Sequence, residues 1–325
     1  MRRTLPALLA AVVLLAACSS DDDTATTDTT ETAETVESTT AGTTDEATDT
    51  TATADTLPVV NPDKPVVEIP DELPTELQVT VLQEGSGPEA QVGDTVIVDY
   101  VGVRSRDGEE FDNSYDPRQP GVPPSPFSVQ LGAEPPAVIV GWDEGLRGVQ
   151  AGSRVQLDIP SDLAYGPEAR GDIIGPDEAL TFVIDVRAVV TPSDPADAPT
   201  EPGVELSTGA DDVVVEDLVE GSGDTAQAGQ SVVLDYVIFR GDNGTLLANT
   251  WGGDASPLPL IEGVFPVLVD AVPGMQVGGR RAITFPPVYP DYGFGPEGRP
   301  TEGLPADTDV IIVVDLRAVF GTPQD

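Results

Sequence analysis

Residues 137–146 read Ala-Val-Ile-Val-Gly-Trp-Asp-Glu-Gly-Leu, an apolar run that stops at Gly141 before Trp142 opens a short segment with helical character. The first N–H groups of a helix have no partner within it, so apolar side chains followed at once by a helix start can form the floor of a pocket. Taken alone, however, the stretch is more typical of an ordinary protein core. The surrounding sequence has to decide between these two interpretations.

Short motifs flank this stretch on both sides. They are VDYVG (98–102), DGEEFDNS (107–114), PFSVQLG (126–132), GSR (152–154), IPSDLAYG (159–166), II (173–174) and LTFVIDV (180–186). In this order and at this spacing, residues 75–190 resemble the FKBP family of peptidyl-prolyl cis/trans isomerases. The resemblance implies an α+β fold in which a strongly twisted antiparallel sheet wraps around one short helix. Independently, apolar residues at every second position, such as Val96, Val98 and Tyr100, predict strands.

The resemblance also implies a pocket, with Trp142 as its floor and Phe111 and Phe127 as its walls. The Ile139 backbone N–H would donate to a ligand carbonyl, and Tyr165 would offer its hydroxyl from a loop. The complete set of candidate catalytic residues is Tyr100, Phe111, Asp112, Phe127, Val138, Ile139, Trp142, Tyr165, Ile174 and Ile184.

Individual members of this set also have purely structural interpretations. Asp112 matches an acid that the family keeps in its pocket, near Tyr100, but an aspartate before Asn113 and Ser114 is equally typical of a turn cap. Tyr100, Phe127 and Ile184 are each compatible with an ordinary core, and Tyr165 with a loop anchor. The joint pattern favours the pocket.

The sequence departs from the family pattern in several places. The segment 117–126 is longer than usual and rich in proline, and it contains Arg118, a candidate match to an arginine at the pocket rim. The loop 167–176 lacks the common Gly-His-Pro-like run, and Ile184 stands where an aromatic residue often lies. These differences bear on substrate preference more than on activity.

The chemistry of prolyl isomerisation suits an apolar pocket. Rotation about an amide costs about 18–20 kcal/mol, and X-Pro bonds exchange over tens to hundreds of seconds. A dry pocket penalises the polar planar amide more than the twisted one, and such differential binding accelerates the reaction. No cofactor is expected. The chain also has no histidine and one cysteine, which excludes Ser-His-Asp and Cys-His catalysis and His/Cys zinc sites.

The N-terminus is typical of an exported lipoprotein. Two arginines precede an apolar run from Leu5 to Leu15, too short for a membrane span, and Leu-Ala-Ala precedes Cys18. The resemblance to a bacterial lipobox predicts a signal peptide at 1–17 and lipidation of Cys18, so the mature protein would be extracytoplasmic and anchored to the cell membrane by lipid. The alternative is a secreted protein with one free thiol.

Residues 18–74 are predicted to form a disordered tether. The segment is acidic and rich in threonine, with prolines near its end, and this composition cannot support a core. Residues 19–74 as a flexible coil would reach roughly 40 Å. The whole chain has a formal charge of −42. Such a charge repels nucleic acid and anionic lipid headgroups, so neither is expected as a partner.

A second unit repeats the first. LQEGSG (82–87) through VDYV (98–101) recurs as LVEGSG (218–223) through LDYV (234–237), and the spacing predicts domains at 75–190 and 210–321 joined by a Pro-rich linker at 191–209. In the second unit Leu247 and Ala248 replace Phe111 and Asp112, and Leu268 falls at the position of Trp142. We expect a degenerate FKBP-like domain with little or no activity.

The predicted function is peptidyl-prolyl cis/trans isomerisation in the first unit, assisting the folding of exported proteins at the cell surface. Expected partners are Pro-containing unfolded or exported polypeptides, and macrolide-type FKBP ligands are a further candidate. The membrane is expected to contact the protein only through its anchor. The alternative is a non-catalytic binding protein or chaperone that holds Pro-containing segments of its partners.

Overall fold

A computed structural model describes residues 63–118, 124–287 and 298–323. The predicted signal peptide, Cys18 and most of the predicted tether lie outside these residues. The described chain contains two six-stranded antiparallel sheets, each with one short α-helix, and so confirms the predicted α+β class. We call the sheet of β1–β6 with α1 the first lobe, and the sheet of β7–β12 with α2 the second lobe.

The first lobe has its central strands buried and its first strand at an edge. Its elements are β1 (Gln78–Gln83), β2 (Thr95–Arg104), β3 (Glu110–Asn113), β4 (Phe127–Gln130), α1 (Val140–Gly145), β5 (Arg154–Ile159) and β6 (Leu180–Val190), with a 3₁₀ turn at Ser161–Leu163. The strand order is β1-β5-β6-β2-β3. Strand β4 pairs with the first half of β2, and β3 pairs with its second half.

The second lobe repeats this arrangement. Its elements are β7 (Val214–Val219), β8 (Ser231–Arg240), β9 (Leu246–Asn249), β10 (Pro257–Pro259), α2 (Pro266–Ala271), β11 (Arg280–Phe285) and β12 (Val310–Phe320), with 3₁₀ turns at Pro195–Asp197 before β7 and Pro300–Glu302 before β12. The strand order is β10-β8-β12-β11-β7, and β9 also pairs with β8.

The central strand β2 is buried on both faces. Val98 and Tyr100 pack in the main core with Trp142, whereas Val101 and Val103 pack in a smaller cluster on the opposite face. Successive side chains of a strand point to opposite faces, so the alternation read from the sequence continues through both layers. The predicted alternation of two is correct. Because Val101 and Val103 are buried on the opposite face, β2 is a nearly continuous hydrophobic run in the sequence.

Two of the six residues of helix α1 are glycines, and both face strand β5. A Cβ on Gly141 would lie 2.5 Å from Ile159, and a Cβ on Gly145 would lie 2.9 Å from Leu157. A Cβ at either position would require the Ile159 or Leu157 side chain of strand β5 to shift. The pair of glycines, four residues apart on one helix face, therefore allows Trp142 to sit deep in the core.

A charged network crosses the other face of the first sheet. Arg154 donates to both carboxylate oxygens of Asp185 at 2.5 and 2.7 Å, and the Tyr115 hydroxyl also donates to Asp185. Arg187 donates to Asp99 at 2.7 Å and lies 3.5 Å from Asp185. Burial alone would raise the pKa of Asp185, but hydrogen bonds from Arg154 and Tyr115 hold it below its ordinary value.

The second lobe contains the same network. Arg280 donates to both oxygens of Asp315 at 2.6 and 2.8 Å, and Arg317 donates to Asp235. Trp251 takes the place of the tyrosine, and the Arg280 guanidinium lies 5.7 Å from its ring centroid. A cation–π contact thus replaces an O–H···O bond, while the charge pattern is unchanged.

An apolar cluster joins the two lobes. It is formed by Ile97, Ala188 and Val190 of the first lobe and by Val233, Ala255, Ala318 and Phe320 of the second. Ile97 and Val233 occupy corresponding places in β2 and β8, so each lobe contributes the same part of its sheet. The Arg317 guanidinium also donates to the Thr191 carbonyl at 3.1 Å across the junction.

We expect Asp185→Asn to lower the free energy of unfolding of the first lobe by about 3 kcal/mol, because it leaves Arg154 without a buried counter-charge. Native-state hydrogen exchange of the β6 amides would measure the change. The matched control Glu168→Gln, which removes an exposed pair with Arg170 at 3.9 Å, should change it by less than about 1 kcal/mol.

The pH dependence provides a second test of this pair. Because the folded-state pKa of Asp185 is depressed, its contribution is present above the ordinary pKa of 3.8 and is lost as the pH falls through the folded value. The difference between wild type and Asp185→Asn should therefore shrink in acid. A difference that stayed constant down to about pH 2 would contradict the role of this ion pair.

Candidate active site

A β-bulge in strand β3 directs two neighbouring side chains to the same site. Gly102 pairs with Asp112 and Val103 pairs with Glu110, so Phe111 is the extra residue. A bulge rotates the strand locally and re-aims its side chains. As a result, Phe111 packs against the main core while Asp112, its neighbour, reaches the hydroxyl of Tyr100.

Four aromatic rings surround or adjoin the indole of Trp142. The Trp142 ring meets Tyr100 at 5.1 Å and Phe182 at 5.2 Å between centroids, both edge-to-face, and Phe127 lies 6.3 Å away. Phe111 packs edge-to-face on Phe182 at 5.6 Å. Edge-to-face contacts of this kind are favourable beyond the burial of area, so the rings hold one another in place.

Phe182 was absent from the candidate set. The sequence signal was available, because Phe182 precedes Ile184 by two residues on a strand and therefore shares its face. Ile184 stands where the family often has an aromatic residue, and in this chain Phe182, two residues earlier, supplies the ring. Ile184 itself is fully buried, so it supports the pocket from below and is not exposed to a ligand.

Gly102 makes room for two of these rings. A Cβ at this position would lie 2.6 Å from Cε1 of Phe182 and 2.8 Å from Cζ of Phe111. Such distances are well inside van der Waals contact, so any larger residue would displace the rings. The absence of one side chain in the centre of β2 is thus a condition for the aromatic cluster.

The rim of the site is polar. The Tyr100 hydroxyl donates to Asp112 at 2.6 Å, and Arg118 lies 3.1 Å from that hydroxyl and 3.3 Å from the other Asp112 oxygen. The backbone N–H of Asn113 also donates to Asp112 at 2.9 Å. Burial, followed by the bond to Asp112, raises the pKa of Tyr100, so this hydroxyl remains a donor throughout the physiological range.

The start of α1 presents a free backbone donor. Ile139 is the N-cap, with extended φ and ψ of −62° and 149°, and its carbonyl accepts from the N–H of Trp142 at 3.0 Å. Within the described part of the chain, the N–H of Ile139 has no protein hydrogen-bond partner. The geometry is that expected for a group that receives a ligand carbonyl.

The remaining candidates close the pocket. Val138 and Tyr165 are half-buried and pack against the main core, and Ile174 is buried within it. The guanidinium of Arg170 lies over the Tyr165 ring at 5.1 Å. The structure therefore places all ten sequence-predicted residues in or beside the core around Trp142, with Ile184 beneath the surface.

Trp142 has one notable polar atom. Its indole Nε1 is buried and has no hydrogen-bond partner among the described residues. The edge-to-face rings on either side offer aromatic faces, which accept N–H groups weakly.

The second lobe has the same bulge and fills the same space differently. Ile238 stands at the position of Gly102, pairs with Ala248 and is buried in the second core. Leu247 is the extra residue, and Leu268 and Ile312 occupy the positions of Trp142 and Phe182. Aliphatic side chains thus occupy the volume that holds aromatic rings in the first lobe.

The polar groups of the second lobe differ as well. Phe265, at the position of Ile139, has a left-handed φ of 38° and precedes Pro266, so its backbone N–H is oriented differently. Burial alone raises the pKa of Tyr236, which faces Ala248 in place of a carboxylate. Tyr292, which precedes a glycine as Tyr165 does, lies outside the described residues.

No group of three or more metal-binding side chains is found among residues 63–118, 124–287 and 298–323. In the same ranges, no helix combines the length and the hydropathy that a membrane span requires.

Comparison with known proteins places these features in a family. The family model for FKBP-type peptidyl-prolyl cis-trans isomerase matches residues 87–187 and 223–317, one segment in each lobe. An FK506-binding protein of Streptomyces anulatus is 46% identical over 129 residues, which are 39% of this chain and 98% of that protein.

Two larger relatives match over a similar length. The outer membrane protein MIP of Legionella longbeachae is 36% identical over 40% of this chain and 49% of its own length. The FKBP-type peptidyl-prolyl cis-trans isomerase FkpA of Escherichia coli (strain K12) is 38% identical over 39% of this chain and 42% of its own.

We expect Gly102→Ala to displace the rings of Phe111 and Phe182 and to destabilise the first lobe by about 1–3 kcal/mol through overpacking. The ring-proton chemical shifts of both phenylalanines would report the displacement. As a control, Ile238→Val in the second lobe should cost about 0.5–1.5 kcal/mol and leave those shifts unchanged. Unmoved rings in Gly102→Ala would show that the site tolerates a Cβ.

Proposed function

Because the chain belongs to the family of FKBP-type peptidyl-prolyl cis-trans isomerases, we propose that its catalysis takes place in the first lobe, in the pocket around Trp142. The observation that carries the proposal is the combination of an aromatic cup with a free donor, the Ile139 N–H, at its edge. The proline ring of a substrate would pack over the indole, between Phe111 and Phe127, with its preceding carbonyl near Ile139.

The pocket would act by favouring the twisted amide. Twisting an X-Pro bond by about 90° removes the amide resonance and with it part of the dipole of the planar form. Apolar walls penalise the more polar ground state, so the twisted state is stabilised relative to it. A ten-thousandfold acceleration requires about 5.5 kcal/mol, a size that burial and one or two hydrogen bonds can supply.

The polar rim would orient the substrate and the rings. Asp112 accepts hydrogen bonds from Tyr100 and Arg118, so its charge is compensated and the Tyr100 ring is fixed at the edge of the pocket. The Ile139 N–H would donate to a substrate carbonyl and so orient the X-Pro bond over the indole. Every group in this scheme belongs to the chain itself.

The second lobe, in our proposal, does not catalyse isomerisation. Ile238 and Leu268 are buried in the region that corresponds to the pocket, and the donor at the helix start has changed its backbone conformation at Phe265. This lobe would instead serve as a spacer or as a binding surface for unfolded chains. These features of the second lobe support the alternative function, a non-catalytic chaperone, whereas the first lobe does not.

The proposed setting is the outer side of the cell membrane. The support comes from the export signal at 1–17 and the lipobox before Cys18, together with a relative whose name describes an outer membrane protein. The proposed substrates are Pro-containing exported polypeptides before or during folding. A relative named as an FK506-binding protein supports macrolides of that class as ligands of the same pocket.

The full chain should accelerate cis-to-trans exchange in a short X-Pro peptide. Trp142→Ala should lower kcat/KM by at least about thirtyfold because it removes the floor, and Asp112→Ala by about tenfold because it releases Tyr100 and Arg118. A protease-coupled or NMR exchange assay would measure both. Absence of acceleration for a range of residues before proline would favour the binding alternative.

A matched pair of conservative variants separates the two lobes. Tyr100→Phe should lower kcat/KM about three- to tenfold, because it removes the donor to Asp112. Tyr236→Phe changes the corresponding residue of the second lobe and should leave kcat/KM unchanged. An equal loss in both variants would show that the second lobe contributes to catalysis.

A further inference from the structure

The segment 63–74, which we call the strap, lies against the first lobe although the sequence analysis includes it in the tether. Val67 packs against Val101, Val103 and Tyr115 on the outer face of the sheet. The strap precedes the part of the chain that the family model matches, which begins at residue 87.

Lys64 attaches the strap to strand β3 and the turn that follows it. Its ammonium nitrogen lies 2.9 Å from an oxygen of Glu110 and 2.5 Å from an oxygen of Asp116. The Lys64 side chain is only 18% exposed, so the contact is not a fully solvated surface pair. Lys64 is also the only lysine in the sequence.

Asn113 connects the same two carboxylates. Its side-chain amide donates to Glu110 at 2.6 Å and to Asp116 at 3.0 Å, and its side-chain oxygen accepts from the Asp116 N–H at 2.8 Å. Two carboxylates that share one amide repel each other unless a cation neutralises them. Lys64 supplies that cation, and its hydrogen bond lowers the pKa of Asp116.

Strand β3 needs such support. It has four residues, lies at the edge of the sheet and pairs with β2 through a bulge, so its own backbone bonds are few. Phe111 and Asp112 lie between Glu110, which contacts Lys64, and Asn113, which donates to both carboxylates that Lys64 contacts. A shift of this strand would move one wall and the acid of the pocket together.

We propose that Lys64 is a positioning residue of the isomerase site, which holds strand β3 from outside so that Phe111 and Asp112 keep their places in the pocket. The proposal rests on the proposed function of the first lobe. It deepens that function by linking catalysis to the segment through which the lobe joins its tether. Lys64 touches no substrate, and it acts only through the position of the strand.

The test uses the full chain with three substitutions. Lys64→Met keeps the apolar stem and removes the charge, Lys64→Arg keeps the charge, and Arg240→Met removes a cation of similar exposure in the second lobe, where Arg240 pairs with Asp242 at 2.6 Å. We expect kcat/KM to fall about tenfold in Lys64→Met, to stay within about threefold in Lys64→Arg, and to be unchanged in Arg240→Met.

NMR provides a readout that is independent of activity. The amide cross-peaks of Phe111, Asp112 and Arg118 should shift or broaden in Lys64→Met and remain near their wild-type positions in Lys64→Arg. Melting temperatures of all variants, measured in parallel, show whether any loss of activity at the assay temperature reflects unfolding. A positioning role predicts loss of activity in a fully folded protein.

Three outcomes would overturn the proposal. They are a Lys64→Met chain with wild-type kcat/KM and unmoved cross-peaks, a loss of activity that only follows a loss of folded protein, and a loss that Lys64→Arg shares in full. If the wild-type chain showed no isomerase activity, the proposed function would fail separately. The cross-peaks of Phe111 and Asp112 would then decide alone whether Lys64 positions the strand.

Discussion

The close approach of Trp142 to the sheet is the contact on which the rest of the first lobe depends. It is favoured by the absence of side chains at three places, because Cβ atoms on Gly141 and Gly145 would strike side chains of strand β5, and one on Gly102 would strike two aromatic rings. Once the indole is seated, the rings of Tyr100 and Phe182 pack edge-to-face against it. The same packing that stabilises the core thus arranges the aromatic rings of the proposed site, so one set of contacts would serve both stability and function.

The two lobes show which parts of the fold tolerate change. The ion network on the outer face is present in both, since each carboxylate, the buried Asp185 and the partly buried Asp315, needs its arginine and loss of either partner leaves an unpaired charge. The pocket is different, because aliphatic side chains such as Ile238 can replace rings and still fill the volume. A lobe can therefore exchange aromatic rings for aliphatic side chains while keeping a complete core.

The junction between the lobes is a packed apolar cluster built from corresponding parts of both sheets. The residues between the sheets contribute as well, since Ala198 and Val204 pack on the outer face of the second sheet and Asp309 accepts hydrogen bonds from the segment at 207–210. Contacts of this kind fix neighbouring domains more firmly than a flexible linker would. The strap likewise packs on the outer face of the first sheet, where Val67 contacts Val101, Val103 and Tyr115.

The sequence by itself determined the α+β class and the duplication, and it predicted a set of ten pocket residues, because alternation, repeats and motif spacing are local or periodic signals. It did not identify Phe182, Gly102 or Lys64. The part that Phe182 and Gly102 play follows from the register between β2, β3 and β6, and that of Lys64 from a contact with a residue 46 positions away in the chain. Only the tertiary structure decided these features, since strand register and side-chain direction bring together residues that no local pattern connects.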